Sequence, residues 1–298
     1  MKNSIINEAF LQQIESLQSL IHNNVAGLFG GTHKSKTYGS SCEFADYRDY
    51  MPGDDITKID WNAYARFDKL YQKLFLDERQ MHTKIYIDAS RSMDYGRSDK
   101  AEQALRIAAA IAYISLNEMD KVSVYAIKDK EIVEVIGGMV GKDSFINEVG
   151  KLNSVEFGGD SYISEAIVPS NVGYGDGMSI IISDFLTDNN FEDAINHLAD
   201  KRRDVLCIQI LSPDELNPKI RGKVHLYDSE NVEKTYRKNI KKEIMRAYRL
   251  ALEYATKRID ELCASRGASY LLASSEDQLG DIFFGKMIER EVIGRAHV

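Results

Sequence analysis

The chain has 298 residues, enough for one large domain or two modest ones, and 44% of them are apolar, an ordinary share for a protein with its own core. Lys and Arg number 38 against 46 Asp and Glu, a formal charge of −8 that disfavours a polyanion such as nucleic acid as the main partner. Three scattered cysteines (Cys42, Cys207, Cys263), with no CxxC and no histidine cluster, exclude an ordinary zinc site and fit a reducing compartment. The N-terminal run MKNSIINEAFLQQIESLQ breaks its apolar residues with Asn, Glu and Gln, unlike a signal peptide. No stretch approaches the roughly 18 apolar residues of a membrane span. A cytoplasmic protein without membrane insertion is expected.

Taken in chain order, residues 4 to 23 place Ile6, Phe10, Ile14, Leu17 and Ile21 at the spacing of an amphipathic helix, whose apolar stripe needs a docking surface. From Gly30 to about Tyr71 the sequence turns to Gly, Ser, Thr, Tyr and short alternating runs, broken by the turn MPGDD at 51 to 55, which predicts a small β-rich module. Residues 1–80 are read as one N-terminal region carrying this helix and module, and 81–298 as an α/β domain. Within it, IYI at 85 to 87 precedes a helix near 98 to 117, and VSVYAI (122 to 127) with EIVEVI (131 to 136) predict a hairpin. MSIIIS (178 to 183), a helix through FEDAINHLAD, and DVLCIQIL (204 to 211) continue the alternation. A long helix marked by Ile240, Ile244, Ala247, Ala251, Tyr254 and Leu262 stops at Gly267, and SYLLAS (269 to 274) is the last strand. Short, nearly all-apolar strands between helices predict a mostly parallel sheet covered on both faces.

Ligands of such sheets gather at the carboxyl ends of the strands, near the point where strand order reverses. In IYIDASRSMDYG (85 to 96), an apolar run ends at Asp88, and Ser90 and Ser92 follow at every second position. The pattern has a bland explanation, because Ser and Asp cap helices at strand-to-helix loops. Two further oxygens argue for more: Ser161 in FGGDSYISEAI, and Asp184 ending the apolar strand SIIIS, itself open to a helix-capping role. Hydroxyls and carboxylates are hard ligands suited to Mg²⁺ or another divalent cation such as Mn²⁺, with waters completing the shell.

The order Asp88, Ser90, Ser92, then Ser161 after a glycine pair, then Asp184 resembles the metal-ion-dependent adhesion site of von Willebrand factor A domains. The resemblance implies that Ser90, Ser92 and Ser161 ligate the metal directly or through water and that Asp88 and Asp184 act largely through waters. Ser161 stands where that family usually has Thr, keeping the hydroxyl without the β-branch that restricts its rotamer. Asp160 is an alternative residue for facing the site. Upstream, EFADYRDYMPGDDITKIDWNAYARFDKLYQKLFLDER (43 to 79) is similar to the signature of the bacterial DUF58 family, and the likeness runs on to VHLYDSE at 224 to 230. That family implies an A-like fold and, as partner, a MoxR-type AAA+ ATPase or its client protein.

Within the upstream signature, Arg48, Asp60 and Arg66 are expected to pair charges around Trp61. The competing reading is a partner-binding face anchored by Arg48, Tyr50, Trp61 and Arg66. GGMVGKDS (137 to 144) resembles a phosphate loop, but its first glycine is one position short and Asp143 stands where Ser or Thr would hold Mg²⁺, so no ATP binding is expected there. His33, His82 and His197 are read as surface or structural residues, and KTYRKNIKKEIMR (234 to 246) as a solvated helix face. The expected function is non-enzymatic, metal-dependent protein–protein interaction. The alternative is a Mg²⁺-dependent phosphoester hydrolase, for which the sequence offers no evident His, Cys or Lys beside the metal.

Overall fold

A computed structural model describes residues 5–24, 44–75, 81–95, 99–175, 177–227 and 235–290. Its elements run α1 (Glu8–Asn24), β1 (Phe44–Asp49), α2 (Trp61–Phe67), β2 (Tyr71–Phe75), β3 (His82–Asp88), α3 (Lys100–Asn117), β4 (Lys121–Lys128) and β5 (Glu131–Val140). They continue α4 (Lys142–Glu148), α5 (Ile163–Ile167), β6 (Met178–Ser183), α6 (Glu192–Asp200), β7 (Asp204–Leu211), α7 (Pro213–Leu216), β8 (Gly222–Tyr227), β9 (Thr235–Ile240), α8 (Lys242–Ser265) and β10 (Ser269–Ser274). The chain divides into two compact units, Gly30–Gln80 and the remainder. Helix α1 belongs with the larger unit, so the expected 1–80 region is split: Ile6, Phe10, Ile14 and Leu17 are buried in the same apolar cluster as α3. The stripe read from the sequence found its docking surface there. Ile21's side chain, like Cys42 and His33, lies outside the described residues.

Six strands of the larger unit form one sheet in the order β10-β7-β6-β3-β4-β5. β3 pairs in parallel with β4 and β6, β7 continues in parallel to β10, and β5 is the antiparallel edge of the expected hairpin. Numbered by their own succession and read from β5, these strands run 3-2-1-4-5-6, the doubly wound order. The chain therefore builds outward on one side from β3, then returns and builds outward on the other from β6. The reversal falls between β3 and β6, and the cleft at their carboxyl ends is where such sheets bind ligands.

Alternating side chains of the buried strands feed two cores. Ile85, Ile87, Ile180, Ile182, Ile208 and Ile210 face α1, α3 and the helical segment Asp281–Met287. Tyr86, Ile181, Val205 and Cys207 face α5, α6 and the end of α8. Helix α3 is Ala-rich and buried from Lys100 through Leu116 apart from Glu102 and Arg106. Its small side chains let it lie close against the sheet.

The smaller unit holds the antiparallel pair β1–β2 and α2. One reading is corrected in detail. Residues 235–240 of the basic run are strand β9, paired antiparallel with β8, and only its end enters α8. Gly137 and Gly138, in the segment set aside as a phosphate loop, lie inside strand β5.

Candidate metal centre

Asp88 ends β3 with its side chain fully buried. Its Oδ1 accepts from Ser90 N at 3.0 Å, closing the turn that carries the two serines. Its Oδ2 accepts from Ser161 Oγ at 2.8 Å and from Ser183 Oγ at 2.6 Å. Ser90 Oγ and Ser92 Oγ lie 3.1 Å apart. The capping explanation fails for these serines: Ser90 precedes the short turn Arg91–Asp94 but makes no side-chain cap bond. Their hydroxyls are instead turned toward one another beside the carboxylate.

Backbone bonds stitch the neighbouring loop to this one. Gly158 N donates to Ala89 O at 2.7 Å and Arg91 N to Gly159 O at 3.1 Å. Asp129, at the tip of the β4–β5 hairpin, bridges to Ser161 and accepts from Asp160 N at 3.0 Å. Asn189 Nδ2 donates to Ser161 O at 2.8 Å. Gly159 has φ +77°, a left-handed conformation that favours glycine, and a Cβ there would collide with the Asp129 carboxylate. Ser161 is thus delivered by an anchored loop, and Asp160, whose backbone is tied to Asp129, is not among the hydrogen-bonded side chains at Asp88.

Asp184 follows β6 and does not cap α6, which begins eight residues later at Glu192. Its Oδ1 accepts from Leu186 N at 3.1 Å. Its Oδ2 accepts from Lys100 Nζ at 2.7 Å, and the same ammonium donates to Glu215 Oε1 at 2.7 Å. The structure therefore gathers Asp88, Ser90, Ser92 and Ser161 as the sequence predicts. It places Asp184 beside them within electrostatic reach of Asp88, but already engaged by a lysine.

Burial raises the Asp88 carboxyl above its ordinary range; the nearby Asp184 charge adds to this, and the bonds from Ser183, Ser161 and Ser90 oppose it. Burial works against charging Lys100, yet Asp184 and Glu215 together outweigh it and hold the ammonium above its usual value. Among the described residues no lysine or arginine pairs with Asp88, and no three His, Cys, Asp or Glu side chains cluster to hold a metal. The donor set is instead hydroxyl oxygens with carboxylates, which suits a hard cation. Two carboxylates, Asp184 and Glu215, share one ammonium, and Asp88 stands within electrostatic reach of Asp184, so negative charge exceeds positive there and a divalent cation can balance it.

Sequence reasoning missed Ser183, Lys100 and Glu215, and the expectation that no lysine stands beside the site is corrected by Lys100. Ser183 had a signal, a polar residue closing an otherwise apolar strand. Lys100 and Glu215 had none, since their contacts span 84 and 115 residues of sequence.

In the smaller unit the expected charge cluster is rearranged. Arg48 pairs with Asp54 at 2.7 Å and donates to Gln72 at 2.9 Å. Asp60 caps α2 through Asn62 N and Ala63 N, accepts from Tyr47 Oη at 2.7 Å and pairs with Lys73 at 3.3 Å. The Tyr47 hydroxyl, foremost, lowers the Asp60 carboxyl to about 2. Arg66 lines a pocket of about 500 Å³ with Tyr47, Asp60, Phe67 and Tyr71. Trp61 is 61% exposed and meets Tyr64 edge to face, while Tyr50 is fixed through its backbone to Leu70.

The family model described as "Protein of unknown function DUF58" matches residues 46–258. The uncharacterized proteins Rv1480 of Mycobacterium tuberculosis and Mb1516 of Mycobacterium bovis are each 24% identical over 236 residues, covering 78% of this chain and 74% of theirs. Among solved structures, an aerotolerance-related membrane protein from Bacteroides fragilis aligns at 14% identity with a TM-score of 0.40, covering 71% of this chain and 98% of that one. The SpRpn10 VWA domain aligns at 11% identity and a TM-score of 0.40, covering 69% of this chain and 94% of its own. The sheet order of this chain is that of an open, doubly wound α/β fold.

Proposed function

The chain belongs to the DUF58 family, and for this member we propose a non-enzymatic role: binding an acidic segment of a protein partner through a divalent cation held at the Asp88 site. The observation that carries this reading is the convergence of Ser90, Ser92 and Ser161 on the buried Asp88 at the point where strand order reverses. Those hydroxyls, with Asp88 and Asp184, are the residues that would hold Mg²⁺ or Mn²⁺. Bound there, the cation supplies a Lewis-acidic position for a partner's Asp or Glu oxygen. The chain's own part is to keep its hydroxyls turned inward and its loop backbone bonded. Without the cation, Asp88 and Asp184 would meet the incoming carboxylate with like charge.

Catalysis is not part of this reading. Lys100, the basic side chain at the site, is held charged between Asp184 and Glu215 and is a poor proton acceptor. Turnover of a phosphoester above background that disappears in Asp184→Ala would instead support the hydrolase alternative.

The partner we propose is a MoxR-type AAA+ ATPase encoded beside this protein, or a client of that ATPase, in the cytoplasm. Exposed Trp61 and Phe67 of the smaller unit supply anchor types for a second contact. The test is the affinity for that ATPase in Mg²⁺ and in EDTA. Binding should weaken at least about tenfold in EDTA and in Asp184→Ala, as loss of a desolvated charge contact implies. Equal affinities would refute metal-bridged recognition even where the two proteins associate.

A further inference from the structure

Lys100 is not an ordinary helix-end lysine. It is the first residue of α3, its side chain is only 1% exposed, and it donates to two carboxylates at 2.7 Å each. One of them, Asp184, belongs to the candidate metal site. The other, Glu215, is fixed independently: its Oε2 accepts from Ser212 N at 2.7 Å and Ser212 Oγ at 3.0 Å in the capping box of α7. Glu215 can therefore retain the ammonium whether or not Asp184 is engaged. Helix α3 is packed through its length, so the lysine's backbone cannot retreat.

Resting on the reading of this site as a divalent-cation site, we propose that Lys100 is a tethered competitor for Asp184. An ammonium and a divalent cation make the same demand on one carboxylate, and they repel each other when both lie against it. Cation binding must then proceed against the lysine's charge, shifting Lys100 toward Glu215 alone. The competitor lowers the site's affinity. A cation held this way suits reversible contact, since it can be released when the partner's oxygen leaves.

The experiment titrates Mn²⁺ into the full-length unmodified protein, Lys100→Met and Asp88→Asn, reading bound metal by electron paramagnetic resonance. Lys100→Met keeps the length and apolar stem and removes the charge. It should bind Mn²⁺ at least about tenfold more tightly than the unmodified protein, from the loss of a like charge at close range, while Asp88→Asn loses binding. Equal or weaker binding by Lys100→Met, with binding by the unmodified protein intact, would overturn the lysine's role and leave the metal site standing. Absence of binding in both would overturn the metal site and this inference together. Should Lys100→Met fail to fold, the Lys100 ammonium signal in a ¹H–¹⁵N spectrum of the unmodified protein decides. It should move on saturation with Mg²⁺, and a signal unmoved at saturation would refute the competition.

Discussion

Ser183 and Ser92 sit at the same edge of the sheet with different duties. Ser183 Oγ donates to Asp88 and accepts from Phe185 N at 2.9 Å, so it satisfies two buried groups. Ser92 Oγ meets Ser90 Oγ. Removing Ser183 should therefore cost about 1–3 kcal/mol, the penalty for orphaned buried polar groups, and the loss should be alike in Mg²⁺ and in chelator. Ser92→Ala should cost less in chelator yet forfeit stabilisation by Mg²⁺. Denaturant titrations of both variants under the two conditions check this, and a Mg²⁺-independent Ser92→Ala would count against Ser92 as a ligand. Legibility divided along the same line. Asp88, Ser90 and Ser92 could be read because their spacing is local and unusual for a strand end. Lys100 could not, because nothing in a sequence marks which of many lysines will be buried between two distant carboxylates.

At the scale of elements, the strands and helices of the larger unit were legible because hydrophobic periodicity reports burial directly. The basic run at 234 to 246 misled, since its charges hid a strand whose pairing with β8 is set by backbone bonds. Helix α3 carries the core, and Ile111 on it is fully buried. Ile111→Ala should cost about 2–5 kcal/mol through lost burial and the cavity left behind, measured by denaturant unfolding; a loss well below this would mean α3 is less tightly packed than described. The start of β4 adds a pH dependence. Asp120 accepts from Met81 N at 3.0 Å, and burial, foremost, pushes its carboxyl from 3.8 up to about 7. A raised carboxyl contributes its full stability below pH 3.8 and loses it as pH rises toward about 7, because the unfolded chain ionises first. Asp120→Asn keeps an acceptor for Met81 N and cannot ionise. Its melting temperature relative to the unmodified protein should rise between about pH 4 and about pH 7 and then level off, the window of that linkage. A constant difference would contradict the shift.

For the whole molecule, each unit carries a feature of its own: the candidate metal site at Asp88 in the larger and exposed aromatic side chains such as Trp61 and Phe67 in the smaller. The upstream signature identified the family, yet its charges proved to be local fixtures, Arg48 on Asp54 and Asp60 at the start of α2. Among the described residues no helix is long and apolar enough to cross a membrane. On the function proposed above, the Asp88 site takes a divalent cation. The most direct test is the stability of the unmodified protein and of Asp88→Asn in Mg²⁺ and in EDTA. At a hundredfold excess of Mg²⁺ over its Kd, the unmodified protein should gain about 2.7 kcal/mol, as mass action requires, and Asp88→Asn should gain none. Identical melting of the unmodified protein in saturating Mg²⁺ and in EDTA would contradict the account.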